Sequence, residues 1–195
     1  RALAETLGTP VVTSYLGKSA MAETHDLAAG CIGYTGTPVA NDTLGAADTV
    51  LVIGCRLKPQ ETCYEHPRLF DPNRQRIFQI DVDPRNASWT IPAEIALTGD
   101  ATLTMAALNT RLADRVDPAQ ASARRGIFET RKALGALFDD PAMASDAIPV
   151  MPQRVVAAVA QAAPEDAIIC SDAGSNRHWM NHFFRTQRPG CYFGC

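Results

Sequence analysis

Short apolar runs alternate with stretches of helical periodicity along most of the chain. Runs that are rich in β-branched and apolar residues predict β-strands. Five such runs lie at residues 10–13, 49–53, 76–80, 94–97 and 167–170. The run at 49–53 contains four successive apolar residues, which is typical of a strand covered on both faces of a parallel sheet.

The intervals around these runs show the spacing of helices. Residues 1–8 have a helical pattern, and proline, which fits the first helical turn, predicts helices over 38–47 and from Pro152. Asp100 is a predicted N-cap of a third helix. Apolar residues at helical spacing support a helix after Asp100 (Met105, Leu108, Leu112, Val116), one over 123–138 (Ile127, Phe128, Leu134, Leu137, Phe138) and an inward face after Pro152 (Val155, Val156, Val159).

Strands that alternate with helices predict an α/β fold with a mainly parallel sheet. Two segments interrupt this alternation. Residues 17–36 hold four glycines without clean periodicity and predict a long loop, and a loop of this length inside a compact domain is often functional. Residues 139–151 contain two prolines and three acids, so they predict a linker between a unit at 1–138 and a unit at 152–195.

Composition narrows the classes of function. The chain has 195 residues, of which 46% are hydrophobic and 20% charged, with a net charge of −3. No run of Lys or Arg predicts a nucleic acid or a membrane surface as a partner. No apolar stretch has the roughly 18–20 residues that cross a bilayer. No signal-peptide pattern opens the chain and the six cysteines show no repeated spacing, so we expect reduced thiols in the cytoplasm.

Three sets of residues carry candidate chemistry. Residues 172–176 follow a predicted strand and precede a predicted helix, so their backbone N–H groups form either an anion site or a plain turn capped by Asp or Ser. Asp81 and Asp83 end another strand, where a carboxylate can accept hydrogen bonds from a ribose, although Asp83-Pro84 also begins turns. Gly17-Lys18-Ser19 lacks the earlier glycine of a P-loop, so the P-loop interpretation fails.

A larger, ordered set of segments carries a resemblance to known enzymes. It comprises residues 3–13, 17–18, 33–36, 47–57, 80–84 and 97–101, followed by 152–174, Trp179 and 189–194. This set resembles the thiamine-diphosphate-dependent superfamily, which includes acetolactate synthase and benzoylformate decarboxylase. The resemblance implies a six-stranded Rossmann-like parallel sheet flanked by helices at 1–138, whose first strand lies upstream of Arg1. It also implies the opening of a diphosphate-binding domain at 152–195.

The resemblance also implies cofactors and binding residues. Relatives bind the cofactor diphosphate through the residues that match Ala173, Gly174, Ser175 and Asn176. Flavin-bearing relatives bind FAD along the positions that match Gly33, Gly36, Gly54, Arg56, Asp81 and Asp100. Tyr34-Thr35 replaces the Met-His pair often seen in those relatives, so an FAD, an ADP-like nucleotide or an empty site fits this resemblance.

The implied chemistry makes or breaks a carbon–carbon bond next to a carbonyl, with a 2-oxo acid or another acyl donor as substrate. Thiamine diphosphate and Mg²⁺ carry this chemistry in the parent enzyme, a homodimer or homotetramer. The glutamate that protonates the pyrimidine and the Gly-Asp-Gly segment that binds the metal lie outside the 195 residues, so the chain alone is expected to be inactive, with no catalytic residue or metal ligand of its own. The alternatives are an NAD-binding domain of sirtuin-like or deoxyhypusine-synthase-like fold and a non-catalytic scaffold.

Overall fold

A computed structural model describes residues 1–135 and 138–194 and confirms the α/β fold with parallel strands. The helices in these ranges are α1 (Ala2–Leu7), α2 (Pro38–Gly45), α3 (Ala101–Ala113), α4 (Pro118–Leu134), α5 (Pro152–Ala162) and α6 (Ser175–Phe183). The strands are β1 (Val11–Thr13), β2 (Ala28–Cys31), β3 (Thr49–Ile53), β4 (Arg76–Asp81), β5 (Ile95–Thr98), β6 (Ile169–Ser171) and β7 (Tyr192–Gly194). They pair as β1–β2, β3–β4–β5 and β6–β7, and every pair is parallel.

Strand β2 corrects the prediction of one continuous loop over 17–36. Its four residues, Ala-Ala-Gly-Cys, are all buried, although none is β-branched. Pairing with β1 and a hydrogen bond from the Thr37 hydroxyl to the carbonyl of Ala29 fix this strand. The same hydroxyl accepts a hydrogen bond from the N–H of Ala40 and caps α2, so Thr37 joins the strand to the next helix.

The β3–β5 sheet buries one face more completely than the other. Val52 and Ile77 point into a core that also contains Leu44, Leu69 and Phe70. On the opposite face, Leu51, Ile95 and Leu97 are 36%, 49% and 46% exposed. The expectation that residues 49–53 are covered on both faces is therefore wrong within the described part of the chain. An unbroken apolar run gives no sign of which face the remaining elements cover.

Two helices bury a different stripe from the one that their apolar residues predict. In α4, Phe128 is 1% exposed, whereas Ile127 is 61% and Leu134 85% exposed. In α5, Val156 is 3% exposed, whereas Val155 and Val159 face outward and line a groove of about 590 Å³. Residues one position apart differ by about 100° around a helix, so neighbouring apolar residues cannot all face one core.

The helix ends also differ from the predictions. Helix α3 has its predicted cap, because the Asp100 carboxylate accepts a hydrogen bond from the N–H of Leu103, but it ends before Val116. Helix α4 begins at Pro118 and ends at Leu134, so buried Phe138 follows the helix, while Leu137 lies outside the described residues.

The predicted linker at 139–151 contains a short 3-10 helix at Pro141–Ala144, which the Asp140 side chain caps. Met143 in this turn packs against a core formed by Val156, Phe183, Phe184 and Tyr192. The segment is therefore partly ordered against α5, while the proposed domain limits at 138 and 152 stay a prediction.

Candidate functional site

The turn at residues 172–176 connects β6 to α6 and has the backbone of an uncapped helix start. Gly174 is the N-cap residue, with φ 122° and ψ −176°, and no side chain in the described part of the chain caps the helix. Almost only glycine adopts this conformation. Neither an Asp nor a Ser side chain caps α6, so the cap expected for a plain turn is not formed, while anion binding by the turn stays a prediction. An exposed, uncapped start leaves backbone donors for an anion.

The four residues predicted to contact a diphosphate are all exposed and lie together. Two hydrogen bonds within the turn limit how many donors are free. The Asp172 carboxylate accepts from the N–H of Ala173 at 2.7 Å, and the Asn176 amide donates to the Asp172 carbonyl at 3.3 Å. Within the described residues, the backbone N–H groups of Gly174, Ser175 and Asn176 remain as donors for a ligand, at the positive end of the helix dipole.

Gly33 and Gly36 pack closely against backbone atoms. A Cβ atom on Gly33, whose φ is +94°, would lie 2.5 Å from the carbonyl oxygen of Gln60. A Cβ atom on Gly36 would lie 2.4 Å from the carbonyl oxygen of Cys31. The N–H of Tyr34 also donates to the Gln60 carbonyl, so Gly33 allows the loops after β2 and β3 to meet, whereas Gly36 allows a close approach within the segment after β2. The nucleotide contact predicted for them stays a prediction.

The other four nucleotide candidates lie at the carboxyl edge of the β3–β5 sheet. Gly54 follows β3 with open space around its Cα, and Arg56 lies over the exposed ring of Trp89 at 5.2 Å. Asp81 accepts hydrogen bonds from the N–H of Asp83 and the amide of Asn86. Asp100 caps α3, so both carboxylates already have local partners. No hydrogen bond or ion pair in residues 1–135 and 138–194 joins these groups to the turn at 172–176.

Two titratable groups beside this edge have shifted pKa values, and local contacts explain both shifts. A bidentate hydrogen bond from Arg85 and a second from its N–H lower the pKa of Asp83 to about 2, and Asp83 begins the turn at Pro84–Asn86. This supports the turn interpretation of Asp83. Burial, reinforced by the nearby Glu61 carboxylate, raises the pKa of Cys55 to about 11. Its thiol stays protonated near neutral pH and is a poor nucleophile.

Two findings concern metals and membranes. Within residues 1–135 and 138–194, no group of three or more His, Cys, Asp or Glu side chains is arranged to hold a metal ion. None of the helices in the same ranges is both long and apolar enough to cross a membrane.

Sequence reasoning missed the role of Lys18. The structure places its ammonium in a buried ion pair with Glu23, where it also donates to the carbonyl of Asn181 in the last turn of α6. The failed P-loop pattern and the resemblance segment at 17–18 include this lysine, but neither indicates an ion pair. A Lys and a Glu separated by five positions in a loop have no characteristic spacing, so no local signal identified the pair.

The pKa of His182 on α6 predicts a pH dependence of stability. Burial chiefly, and the Lys18 ammonium in addition, lower this pKa, against a smaller opposing effect of Asp140. The unfolded chain therefore binds the proton more readily than the folded chain. Stability is fully present above the ordinary histidine pKa of about 6.5 and is lost as the pH falls through the lowered value.

Urea unfolding at pH 7.5 and pH 5.5 measures this effect. We expect H182Q to reduce the loss of stability between these pH values. H66Q, at an exposed histidine, should leave that loss unchanged. An equal loss in wild type and H182Q would contradict this prediction.

The family of the chain is shown by its similarity to known proteins. The family profile described as thiamine pyrophosphate enzyme, central domain, matches residues 1–108. The chain belongs to the thiamine pyrophosphate enzyme family. This confirms the resemblance drawn from the ordered segments, and it favours the thiamine interpretation over a free-standing NAD-binding domain.

Similar proteins extend the relation beyond the central domain. A probable acetolactate synthase large subunit from Methanocaldococcus jannaschii is 33% identical over 193 residues, which cover 96% of this chain and 31% of that protein. A sulfoacetaldehyde acetyltransferase from Castellaniella defragrans is 30% identical over 211 residues, which cover 99% of this chain and 35% of that protein. The chain therefore spans about a third of the length of these relatives.

Proposed function

We propose that this chain is part of a thiamine-diphosphate-dependent enzyme that makes or breaks a carbon–carbon bond next to a carbonyl. The observation that carries the proposal is the exposed, uncapped start of α6 at Gly174. Family membership supports it, and so does the similarity of residues beyond 108 to an acetolactate synthase and a sulfoacetaldehyde acetyltransferase.

The residues of the turn fit a diphosphate group. The N–H groups of Ser175 and Asn176 would donate to phosphate oxygens, and the conformation of Gly174 brings the backbone to the surface. The Asn176 amide holds the turn through the Asp172 carbonyl. Thiamine diphosphate, when bound, would supply the chemistry that makes or breaks the carbon–carbon bond next to the carbonyl. The role of this chain is to bind and orient the cofactor.

The rest of the proposal concerns the parent protein. It would take a 2-oxo acid or a similar acyl donor, use Mg²⁺ through residues outside this chain, and form a homodimer or homotetramer in the cytoplasm. The 195 residues alone would be inactive. Turnover of a 2-oxo acid by the isolated chain in the presence of thiamine diphosphate and Mg²⁺ would contradict that statement.

Calorimetric titration of the chain tests the binding proposal directly. We expect binding of thiamine diphosphate and weaker binding of thiamine monophosphate, because the latter lacks one phosphate. FAD, ADP and NAD form further arms of the titration. FAD or ADP binding would support the predicted nucleotide site at the β3–β5 edge, whereas NAD binding without thiamine diphosphate would favour the NAD-binding alternative. Failure of all ligands to bind would favour the scaffold alternative and contradict the diphosphate site.

Titration of the Asn176→Asp variant tests whether the diphosphate binds at the predicted turn. The change adds a negative charge at an exposed side chain in the predicted phosphate site, and it removes the amide that donates to the Asp172 carbonyl. We expect the Kd for thiamine diphosphate to rise about tenfold, or ~1.4 kcal/mol. Gln161→Glu makes the same change of charge at an exposed position near the end of α5, and we expect it to leave the Kd within about twofold because exposed distant charges are screened. Equal weakening by the two variants would indicate net charge rather than a site.

A further inference from the structure

The Lys18–Glu23 ion pair is buried, although it joins two loop residues. The side chains are 0% and 2% exposed, and the Lys18 ammonium lies 2.7 Å from each carboxylate oxygen of Glu23. The ammonium also donates to the carbonyl of Asn181 at 3.2 Å. Removing two charges from water is costly, and such a pair is stable only when further hydrogen bonds complete it.

The further hydrogen bonds of Glu23 come from the segment that follows α6. Its carboxylate accepts from the N–H of Thr186 at 2.8 Å, and its own N–H donates to the Thr186 carbonyl at 2.9 Å. The Arg185 guanidinium donates to the Glu23 carbonyl at 3.1 Å. One acidic residue of the loop thus holds two consecutive residues that are more than 160 positions away in sequence.

Ser19 makes a second attachment to the same segment. Its hydroxyl accepts from the N–H of Tyr192 at 3.1 Å and lies 3.2 Å from the Tyr192 carbonyl, to which it donates. The N–H of Gly190 donates to the Ser19 carbonyl. We call residues 18–23, with their contacts to 181–192, the clasp. The clasp holds both the end of α6 and the start of β7.

Aromatic rings enclose the lysine. Its ammonium lies 5.5 Å from the ring centroid of Phe138 and 5.6 Å from that of Tyr192. The Tyr192 hydroxyl donates to the buried side chain of Asn181. Cation–π contacts strengthen in such desolvated surroundings. The rings shield the ammonium, and its hydrogen-bond partners in this enclosure are the Glu23 carboxylate and the Asn181 carbonyl.

Helix α6 links the clasp to the turn at 172–176. Its nine residues span about 13 Å. Asn181 lies near one end of this helix, and the turn lies at the other. The turn itself is exposed, and among the described residues its own side-chain hydrogen bonds stay within 172–176. At the near end, the Arg177 guanidinium lies 5.1 Å from the ring centroid of Tyr15, which follows β1. The far end, held by the clasp, is a second attachment that sets the position of the turn relative to β1 and β2.

We propose that Lys18 and Glu23 are positioning residues, which place the diphosphate-binding turn by fixing the far end of α6. This inference rests on the proposed function for the identity of the ligand. The clasp itself rests only on the hydrogen bonds and ring contacts of residues 18–23. Breaking the pair should detach residues 181–192 from the loop before it unfolds the β3–β5 sheet.

The test compares K18M with K18M/E23Q in the full 195-residue chain. Met keeps the length of the lysine stem but leaves a buried carboxylate unpaired. The added Glu23→Gln change removes that charge and keeps an oxygen to accept from Thr186. R76M is the matched control, because it breaks an exposed pair with Glu94 in the β3–β5 sheet. Amide hydrogen exchange and calorimetry with thiamine diphosphate are the two measurements.

In K18M, we expect the amides of Thr186, Gly190 and Tyr192 to exchange about 100-fold faster, and the β3–β5 amides to be unchanged. The Kd for thiamine diphosphate should rise about tenfold or more, because the turn is no longer held in place. K18M/E23Q should recover most of both effects. R76M should change neither measurement.

Several results would overturn the proposal. Equal acceleration of exchange in every element would make the pair a general stabiliser of the core. Local acceleration with an unchanged Kd would show that the clasp fastens the segments without positioning the turn. If K18M unfolds completely, E23Q alone, which keeps the hydrogen bond from Thr186, provides the same comparison. Absence of thiamine diphosphate binding in the wild type would instead contradict the proposed function, and exchange would still report on the clasp.

Discussion

Replacement of Gly33 by Ala is expected to destabilise the fold by about 4 kcal/mol, since strain and overpacking add at this position. The new Cβ atom would lie 2.5 Å from the Gln60 carbonyl oxygen and 2.9 Å from the Cα atom of Glu61, at a φ of +94°. Both neighbouring atoms are backbone, so a side-chain rotation cannot relieve the contact. Guanidinium unfolding followed by circular dichroism measures the loss.

Gly54→Ala is the matched control for this effect. Gly54 also has a positive φ, +58°, but a Cβ atom added there would meet nothing within 4 Å. We expect a loss of only about 1–2 kcal/mol, from the left-handed conformation alone. Similar losses for the two variants would show that the close approach of the loops after β2 and β3 does not add to the cost in unfolding free energy. Such a result would leave a ligand contact as the main explanation for a glycine at position 33.

Phe128→Ala is expected to cost about 3–5 kcal/mol of unfolding free energy, the usual range for a fully buried aromatic side chain. The ring is 1% exposed and packs in a core with Met21, Leu27 and Val39. These residues belong to the loop before β2, to its entry and to α2, so the ring joins α4 to the β1–β2 part of the fold. The same unfolding measurement applies.

Ile127→Ala tests whether this cost is specific to the buried face of α4. Ile127 precedes Phe128 on the same helix and is 61% exposed. We expect a change within about 0.5 kcal/mol, as for most surface substitutions. A large loss at Ile127 would mean that this side of α4 is covered in solution, in contradiction to the structure.

Elements with strong local signals were predicted well. Residues 49–53 form β3 with the predicted bounds, and Asp100 caps α3 as its side chain and position indicate. Asp83 begins a turn at Pro84. The unbroken apolar run alone indicates β3, whose pairing partner β4 is distant in sequence. For Asp100 and Asp83 the decisive contact involves residues within a few positions, such as a carboxylate and an N–H group three residues later. Such contacts are already specified by the order of residue types.

Elements without such signals were missed or assigned to the wrong face. Strand β2 has only small residues, so the sequence does not indicate it. Only its burial and its pairing with β1 in the structure identify it as a strand. The apolar residues of α5 were all predicted to face inward, but only Val156 is buried among its three predicted valines. Which stripe of a helix is covered depends on the elements that pack against it, and these are distant in sequence.

The candidate site shows the same division. The sequence alone determined that a strand, a small-residue turn and a helix follow one another near residue 174, and the ordered segments determined the family. The tertiary structure decided that Gly174 is an uncapped N-cap, that Gly33 and Gly36 lie against backbone, and that Lys18 pairs with Glu23. The physical reason is distance along the chain. Capping and turn preferences act over a few residues, whereas burial and ion pairing depend on partners that only folding brings together.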